Sequence, residues 1–339
     1  MGRLNEPPEP VPTMPAKKEK DPTIAAMHKA CADEATAVEF FEAMRWSDGA
    51  ACPRCGSVEV RKMNDKFGNR NARFLWRCYG CKKQFTVRVG TILEDSPIPL
   101  KHWAFVMWMG CAGKKGVSAK QIERQIQVSY KTALYMLHRV RFGMIETGGA
   151  KLIGTVEVDE TYVGGKARRG DRHNPSKPRK LRGGHDKAPV VAAVSRTEGD
   201  KVGKVRTRVV ANVTAANLAS VMQETIHRSA VLVTDELSLY PKIGENFARH
   251  ETIAHRDNRY ARTADDGLRV HTNTAEGFFS LLKRAIYGTY HHVSRKHLHR
   301  YATHQEYLYN TRAGTDGERL ARLIRMCDGK RLTRKAYLA

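Results

Sequence analysis

The sequence lacks any apolar run approaching the roughly 20 residues that a membrane-spanning helix requires. Residues 1–21 contain proline and lysine but no apolar stretch, so a signal peptide is not expected either. Acidic residues are also scarce, since 35 Asp and Glu stand against 59 Lys and Arg and leave a formal net charge of +24. A surplus of this size repels itself unless a polyanion neutralises it. We therefore expect an intracellular protein whose partner is nucleic acid, with an anionic membrane surface as the weaker alternative.

Cysteine is sparse, with seven residues in 339, and a disulfide framework is not expected inside a reducing cell. Four of the seven form two Cys-x-x-Cys pairs with 22 residues between them: Cys52, Cys55, Cys78 and Cys81. Two such turns supply the four corners of a zinc tetrahedron, so the spacing predicts one structural zinc ion with a closed coordination shell. The surrounding residues are basic and aromatic, which suits a small ribbon that grips DNA or a partner protein. The other three cysteines show no pattern and are expected to be inert thiols: Cys31, Cys111 and Cys327.

The chain is long enough for several domains, and 41% hydrophobic residues suffice for sizeable cores. Residues 1–22 are rich in proline and lysine and are expected to be a disordered basic segment. Residues 23–90 are predicted to form a helix and the zinc ribbon, and 96–146 a helical DNA-binding domain. Within 150–312, three strands, a helix, a fourth strand and further helices predict a mixed α/β sheet. The basic residues 313–339 are expected to be a peripheral tail.

One segment within the predicted sheet domain, residues 164–187, has no apolar periodicity. It carries nine basic residues and two acids. We interpret it as a loop between two strands that clamps DNA, the alternative being a solvated loop with no role.

Two short helices in residues 118–143 have the size of a helix-turn-helix. Ser118 is followed three residues later by Gln121, which is a capping-box pattern, and Ser129 can cap a second helix. Leu134, Leu137 and Val140 form the apolar stripe of that second helix. Its other side chains are expected to face outward and to read DNA, unless the pair is only a packed helical hairpin. These predicted contacts include Lys131, Thr132, Tyr135 and Arg139, with Tyr130 and His138 beside them.

Three acids are placed to form one site. Asp159 and Asp235 lie at or near the ends of predicted strands, where open α/β sheets place active groups, and Glu276 opens a predicted helix. Three converging carboxylates would repel one another unless divalent ions sit between them. Mg²⁺ suits such a site, and two ions would support an in-line phosphoryl displacement. Lys283 lies about two helical turns after Glu276, on the same side, and could hold a DNA phosphate.

Other interpretations of these acids stay open. Glu157 and Glu160 flank Asp159, so the ligand could be miscounted by one or two positions. Asn273 and Glu276 also fit a helix-capping pair, with Asn273 as the N-cap.

The order of these motifs resembles that of bacterial insertion-sequence transposases with an N-terminal zinc ribbon and a DDE catalytic domain of ribonuclease-H-like fold. The resemblance covers roughly residues 30 to 312. It rests on V-E-V-D-E-T-Y-V-G-G-K at 156–166, V-T-D at 233–235, and H-T-N-T-A-E-G-F-F-S-L-L-K-R-A-I-Y-G-T-Y-H-H-V-S at 271–294.

The resemblance implies catalysis by Mg²⁺ or Mn²⁺ held by Asp159, Asp235 and Glu276, with Lys283 as a DNA contact. Some relatives use Asn at the third position, and Asn273 is close by. The implied reaction is nicking at the element's ends and joining of the 3′-hydroxyls to target DNA. We expect double-stranded DNA as the partner, no membrane, a cytoplasmic location at the nucleoid, and a homodimer or higher oligomer on DNA. The alternative is an inactive regulator that keeps the ribbon and the helix-turn-helix; a membrane-surface or RNA-binding protein would explain neither the cysteines nor the acids.

Overall fold

The computed structural model describes residues 21–164, 187–254 and 261–338. The expected disordered segment and the expected basic clamp therefore lie almost wholly outside the described residues. Asp21 and Pro22 are exceptions, because they begin a helix: the Asp21 carboxylate accepts a hydrogen bond from the backbone N–H of Thr23 at 2.9 Å. Assigning these two residues to a disordered segment was wrong. In the described residues, no helix is long and apolar enough to cross a membrane.

The N-terminal lobe is a helical core with a small ribbon attached. Its helices are α1 (Pro22–Ala32), α2 (Glu34–Arg45), α3 (Leu100–Ala112), α4 (Ala119–Ile126) and α5 (Tyr130–Gly143). Between α2 and α3, the strands β1 (Val60–Lys62), β2 (Trp76–Cys78) and β3 (Gln84–Phe85) form an antiparallel sheet. Aromatic rings of Trp46, Trp76 and Phe85 pack edge-on or stacked against one another and form the ribbon's own core.

The second lobe is a five-stranded mixed sheet. Its strands are β4 (Thr155–Val163), β5 (Ala188–Ser195), β6 (Val205–Val209), β7 (Val231–Asp235) and β8 (Arg249–Ile253). They lie in the order β6-β5-β4-β7-β8, with β7 parallel to β4 and β8, and β5 antiparallel to β4 and β6. The predicted ribonuclease-H-like mixed α/β sheet, preceded by a zinc ribbon and a helical domain, is confirmed.

Helices cover both faces of this sheet because its strands alternate buried side chains. Val156 and Val158 of β4 face α6 (Ala215–Thr225) and α7 (Tyr240–Gly244). Val190, Ala192 and Val194 of β5 face α8 (Asn273–Ala285) and α9 (Leu298–Asn310). The remaining elements are a π-helical continuation of α8 (Ile286–Tyr290), a 3₁₀ turn (Arg295–His297), and the hairpin β9 (Arg262–Thr263) and β10 (Arg269–Val270).

The C-terminal residues return to the N-terminal lobe. Helix α10 (Asp316–Met326) buries Leu320, Leu323 and Ile324 in the same core as α1, α2 and α3. Thr315 and Glu318 form a capping box at its start. The expectation of a peripheral tail was therefore wrong for α10, which is part of the helical core. A last short helix, α11 (Arg334–Leu338), follows it.

Candidate active site and zinc centre

The four paired cysteines converge at the tips of the ribbon. The Sγ atoms of Cys52 and Cys81 are 3.7 Å apart, those of Cys55 and Cys78 are 3.6 Å apart, and all four lie within 4.8 Å of one another. Tetrahedral zinc with Zn–S bonds of about 2.3 Å places its sulfurs about 3.8 Å apart, so the cluster fits the ion. The backbone N–H of Cys81 points at Cys78 Sγ, 3.4 Å away, as a donor to a thiolate ligand would. The predicted structural zinc site is supported.

The sheet brings the first two predicted acids together. Strands β4 and β7 pair in parallel up to Val158 and Thr234, so the next residues along each strand, Asp159 and Asp235, are neighbours. β7 ends at Asp235, whereas β4 runs four residues beyond Asp159 in its pairing with β5. Asp159 therefore lies within a strand, at the point where its neighbour on one side stops.

Helix α8 adds the third predicted acid. Asp159 and Glu276 line one open cavity of about 760 Å³. Burial raises the pKa of Asp159 to about 7, and the nearby carboxylates of Glu160, Asp235 and Glu276 add to the rise, although the backbone N–H of Glu160 opposes it. Asp159 is therefore a half-buried acid with other carboxylates close to it.

This acidic group differs in geometry from the cysteine cluster. Across residues 21–164, 187–254 and 261–338, the cysteines are the one group of three or more Cys, His, Asp or Glu residues whose ligand atoms all lie within 4.8 Å of one another. The ligand atoms of the predicted acids are therefore more widely spaced than those of the cysteines.

Asn273, the alternative third residue, is placed less favourably. It is the first residue of α8, is exposed, and is not among the residues that line the cavity. The expected capping pair does not form either, because Thr272 occupies the N-cap position.

The cap of α8 comes instead from Glu157, which sequence reasoning missed. Its fully buried carboxylate accepts hydrogen bonds from the backbone N–H groups of Thr274 (2.8 Å) and Ala275 (3.0 Å). Arg196 Nε also donates to it at 2.6 Å, and His271 Nδ1 lies 3.2 Å away. The available signal was strand alternation, which puts Glu157 on the same face as Asp159. Its partners could not be found from local sequence, because they lie 39 to 118 positions farther along the chain.

Glu160 lies on the opposite face of β4. Its carboxylate accepts a hydrogen bond of 2.7 Å from the Tyr240 hydroxyl of α7, and burial raises its pKa. The three acids of this motif therefore have three different surroundings.

Basic side chains also line the cavity. Lys283 lines it, as predicted for a residue near the acids, and so does Arg284 from the same helix. Lys115, from the loop between α3 and α4, also lines it and was not predicted. The signal for Lys115 was a pair of lysines between two glycines, Gly113 and Gly116, in a loop.

The helix pair α4 and α5 begins as predicted. The Ser118 hydroxyl accepts from the backbone N–H of Gln121, and the Ser129 hydroxyl from that of Thr132, both at 3.2 Å. A three-residue turn joins the helices, with Gln127 in the left-handed region at φ +54°. Lys131 is exposed beyond that turn.

Farther along α5, the expected outward face is covered. Arg139 and His138 are buried, so placing them on an outward DNA-reading surface was wrong. The Arg139 guanidinium lies over the Trp103 ring and donates to the carbonyl oxygen of Glu94. The Tyr135 hydroxyl donates to the carbonyl oxygen of Leu332 at 2.8 Å. In the first turn of α5, the predicted contacts Lys131 and Thr132 remain accessible, Lys131 as an exposed and Thr132 as a half-buried side chain.

Comparisons with known proteins agree with this architecture. A family model for an ISXO2-like transposase domain matches residues 151–310, and one for a transposase zinc-ribbon domain matches residues 32–84. A protein of Halobacterium salinarum, described as an uncharacterized protein in transposable element ISH50, is 26% identical over 263 residues, which cover 76% of this chain and 84% of that protein. The ribbon and the mixed sheet therefore match, in this order, a transposase zinc-ribbon domain and an ISXO2-like transposase domain.

Proposed function

We propose that the chain is an active DNA transposase that nicks the ends of its element and joins the freed 3′-hydroxyls to target DNA. The observation that carries this proposal is the approach of Asp159, Asp235 and Glu276 to one another at a cavity with cations on its lining. A bare cluster of acids would repel a DNA backbone, so it is useful to such an enzyme only if cations neutralise it.

Asp159, Asp235 and Glu276 are the proposed ligands of Mg²⁺ or Mn²⁺. Carboxylate oxygens are the ligands these ions prefer, and Asp235 and Glu276 lie close enough to Asp159 to add to the rise in its pKa that burial causes. Two bound ions would activate the attacking oxygen and stabilise the leaving one. Glu276 is preferred to Asn273 because it lines the cavity with Asp159.

The remaining residues hold DNA. Lys283, two turns along α8 from Glu276, would bind a backbone phosphate beside the acids. Lys131 and Thr132 in the first turn of α5 would contact the element end, as recognition helices do with their N-terminal residues. We further propose that the protein acts on nucleoid DNA in the cytoplasm as a homodimer or higher oligomer, since two ends must reach one target.

The test is to incubate the full chain with DNA that carries the element ends, in Mg²⁺ or Mn²⁺, and to map the nicks. Asp159→Asn, Asp235→Asn and Glu276→Gln should each abolish nicking while DNA binding stays intact or tightens, because each removes a negative charge from the site. Asn273→Ala is the matched control and should nick normally.

Several outcomes would change the assignment. Full activity of Asp159→Asn would overturn the mechanism. Wild-type nicking by Glu276→Gln together with inactive Asn273→Ala would move the third ligand to Asn273. A wild-type protein that binds the ends but nicks in neither metal would indicate the inactive regulator. A double substitution, Lys131→Ala with Thr132→Ala, should weaken binding to element ends more than to random DNA; equal losses would contradict the role of α5.

A further inference from the structure

The loop between α3 and α4 reaches from the helical lobe to the cavity of the second lobe. It has the sequence Gly-Lys-Lys-Gly, and its second lysine, Lys115, lines the same cavity as Asp159 and Glu276. Lys114, immediately before it, is also exposed but does not line the cavity. Within the described ranges, no carboxylate lies within 4.0 Å of the Lys115 ammonium, so this side chain forms no ion pair there.

The loop is held in place rather than lying loosely over the cavity. Gly116 adopts φ +73°, and a Cβ atom there would lie 2.2 Å from the Tyr290 hydroxyl oxygen and 2.6 Å from His304 Cε1. Only glycine allows the backbone to approach these side chains so closely. The backbone N–H of Gly116 also donates to the carbonyl oxygen of Gly113 at 2.9 Å, which closes the turn.

The side chains beneath the loop form a connected set. His304 Nε2 donates to the carbonyl oxygen of Gly110 in α3 at 2.8 Å. The Tyr290 hydroxyl oxygen lies 3.2 Å from His304 Nδ1 and can donate to it. Tyr290 ends the π-helical continuation of α8, the helix that carries Glu276 and Lys283. The position of Lys115 is therefore fixed relative to the helix that carries the third acid.

The same loop leads directly into the helix pair. Ser118, which caps α4, lies three residues after Lys115. The segment from Lys115 to Ser118 would thus lie between two parts of a bound DNA. A duplex docked on α4 and α5 would contact its Ser118 end, and a strand entering the cavity would contact its Lys115 end. A lysine ammonium with no ion-pair partner in the described residues suits a DNA phosphate at such a junction, because it offers three donors and a full charge.

We propose that Lys115 binds a backbone phosphate next to the scissile one and so fixes which bond lies over the acids. This inference rests on the proposed transposase function, and it assigns a cation of the DNA-binding lobe to the catalytic cavity. Lys283 holds the strand from α8, and Lys115 holds it from the other lobe.

The experiment compares Lys115→Ala with the matched control Lys114→Ala in the full chain, using element-end duplexes that carry single methylphosphonate substitutions around the nick. Neutralising one phosphate should weaken binding by wild type and Lys114→Ala about tenfold, the usual effect of losing one charge-assisted contact. The same substitution should have no further effect on Lys115→Ala. Lys115→Arg should restore the sensitivity, and Lys115→Ala should nick less accurately.

The inference is overturned if Lys115→Ala keeps the wild-type methylphosphonate profile and nicks at the wild-type position. Binding profiles measured in an Asp159→Asn background separate this failure from that of the proposed function. If wild type never nicks but the profile depends on Lys115, the transposase proposal fails and the phosphate contact stands.

Discussion

Replacing Glu157 by glutamine should destabilise the second lobe, although the side chain keeps nearly the same shape. The Glu157 carboxylate is fully buried and receives donors from Arg196, Thr274 and Ala275. A glutamine has no charge to match Arg196. Its NH₂ group must also face one of the N–H donors that now point at a carboxylate oxygen.

The magnitude follows from these partners. Removing one member of a buried ion pair costs roughly 3–5 kcal/mol, and losing a helix N-cap costs about 0.5–2 kcal/mol. These terms describe one carboxylate and do not add in full. Arg196 also keeps 14% side-chain exposure and its bond to the carbonyl oxygen of His271, which soften the loss. We expect the free energy of unfolding to fall by about 3 kcal/mol, with reduced nicking because the first turn of α8 carries Glu276.

The assay is urea denaturation followed by far-ultraviolet circular dichroism. All four tryptophans lie between residues 46 and 108, so tryptophan fluorescence follows the N-terminal lobe separately and should change little. Glu160→Gln is the matched control, since it makes the same substitution on the same strand. Its amide oxygen can still accept from Tyr240, and the loss should stay below about 1 kcal/mol. A Glu157→Gln protein that unfolds within about 0.5 kcal/mol of wild type would refute the capping role.

Two further predictions concern zinc and acid. Each purified wild-type chain should contain one zinc ion. The Cys78→Ser variant should lose this ion, and the fluorescence of Trp46 and Trp76 should change while the second lobe stays folded. Metal analysis that finds no zinc in the wild-type protein would contradict this prediction. Burial lowers the pKa of His304 to about 3 and that of His138 to about 2, so both are neutral in the fold while the unfolded chain binds protons near pH 6.5. Stability from these groups is therefore complete above that pH and is lost below it, by roughly 2 kcal/mol per histidine at pH 5. The raised pKa of Asp159 acts in the opposite direction over the same range, so the test compares variants: the loss of stability between pH 7.5 and pH 5 should be about 2 kcal/mol smaller in His304→Gln than in wild type, and an equal pH dependence would show this to be wrong.

The features that the sequence predicted well depend on local chemistry. The cysteine spacing is enough to bring four thiolates together once each pair sits on a tight turn. Ser118 and Ser129 cap helices that begin at the next residue, which requires no knowledge of the rest of the chain. Strand positions also follow from apolar runs, but the pairing that places Asp159 beside Asp235 depends on a sheet order that no local pattern contains.

Two errors arose where charge was weighed above periodicity. Arg139 belongs to a helix packed on several sides, by α3, α9 and the C-terminal residues, so its charge did not place it outside. Its aliphatic stem and flat guanidinium lie against Trp103 instead. In residues 313–339 the many basic residues drew attention away from an apolar pattern. Apolar side chains recur there at helical spacing after a capping box: Leu320, Leu323, Ile324 and Cys327.

The Val-Glu-Val-Asp-Glu motif explains why the number of acids in a motif is a poor guide to the number of ligands. Strand alternation directs Glu157 and Asp159 to one face and Glu160 to the other. Whether an acid is then available for a metal depends on the layer that covers it: Glu157 meets the start of α8 and is used as its cap, and Glu160 meets the hydroxyl of Tyr240. Of the three, Asp159 and Glu160 line the cavity. Asp159 accepts no side-chain donor in the described residues, whereas one oxygen of Glu160 accepts from Tyr240, so Asp159 is the better placed to offer its carboxylate to a cation. Its neighbours fix the helix and the strand around it, which is why substitutions of Glu157 should affect the fold first and the chemistry second.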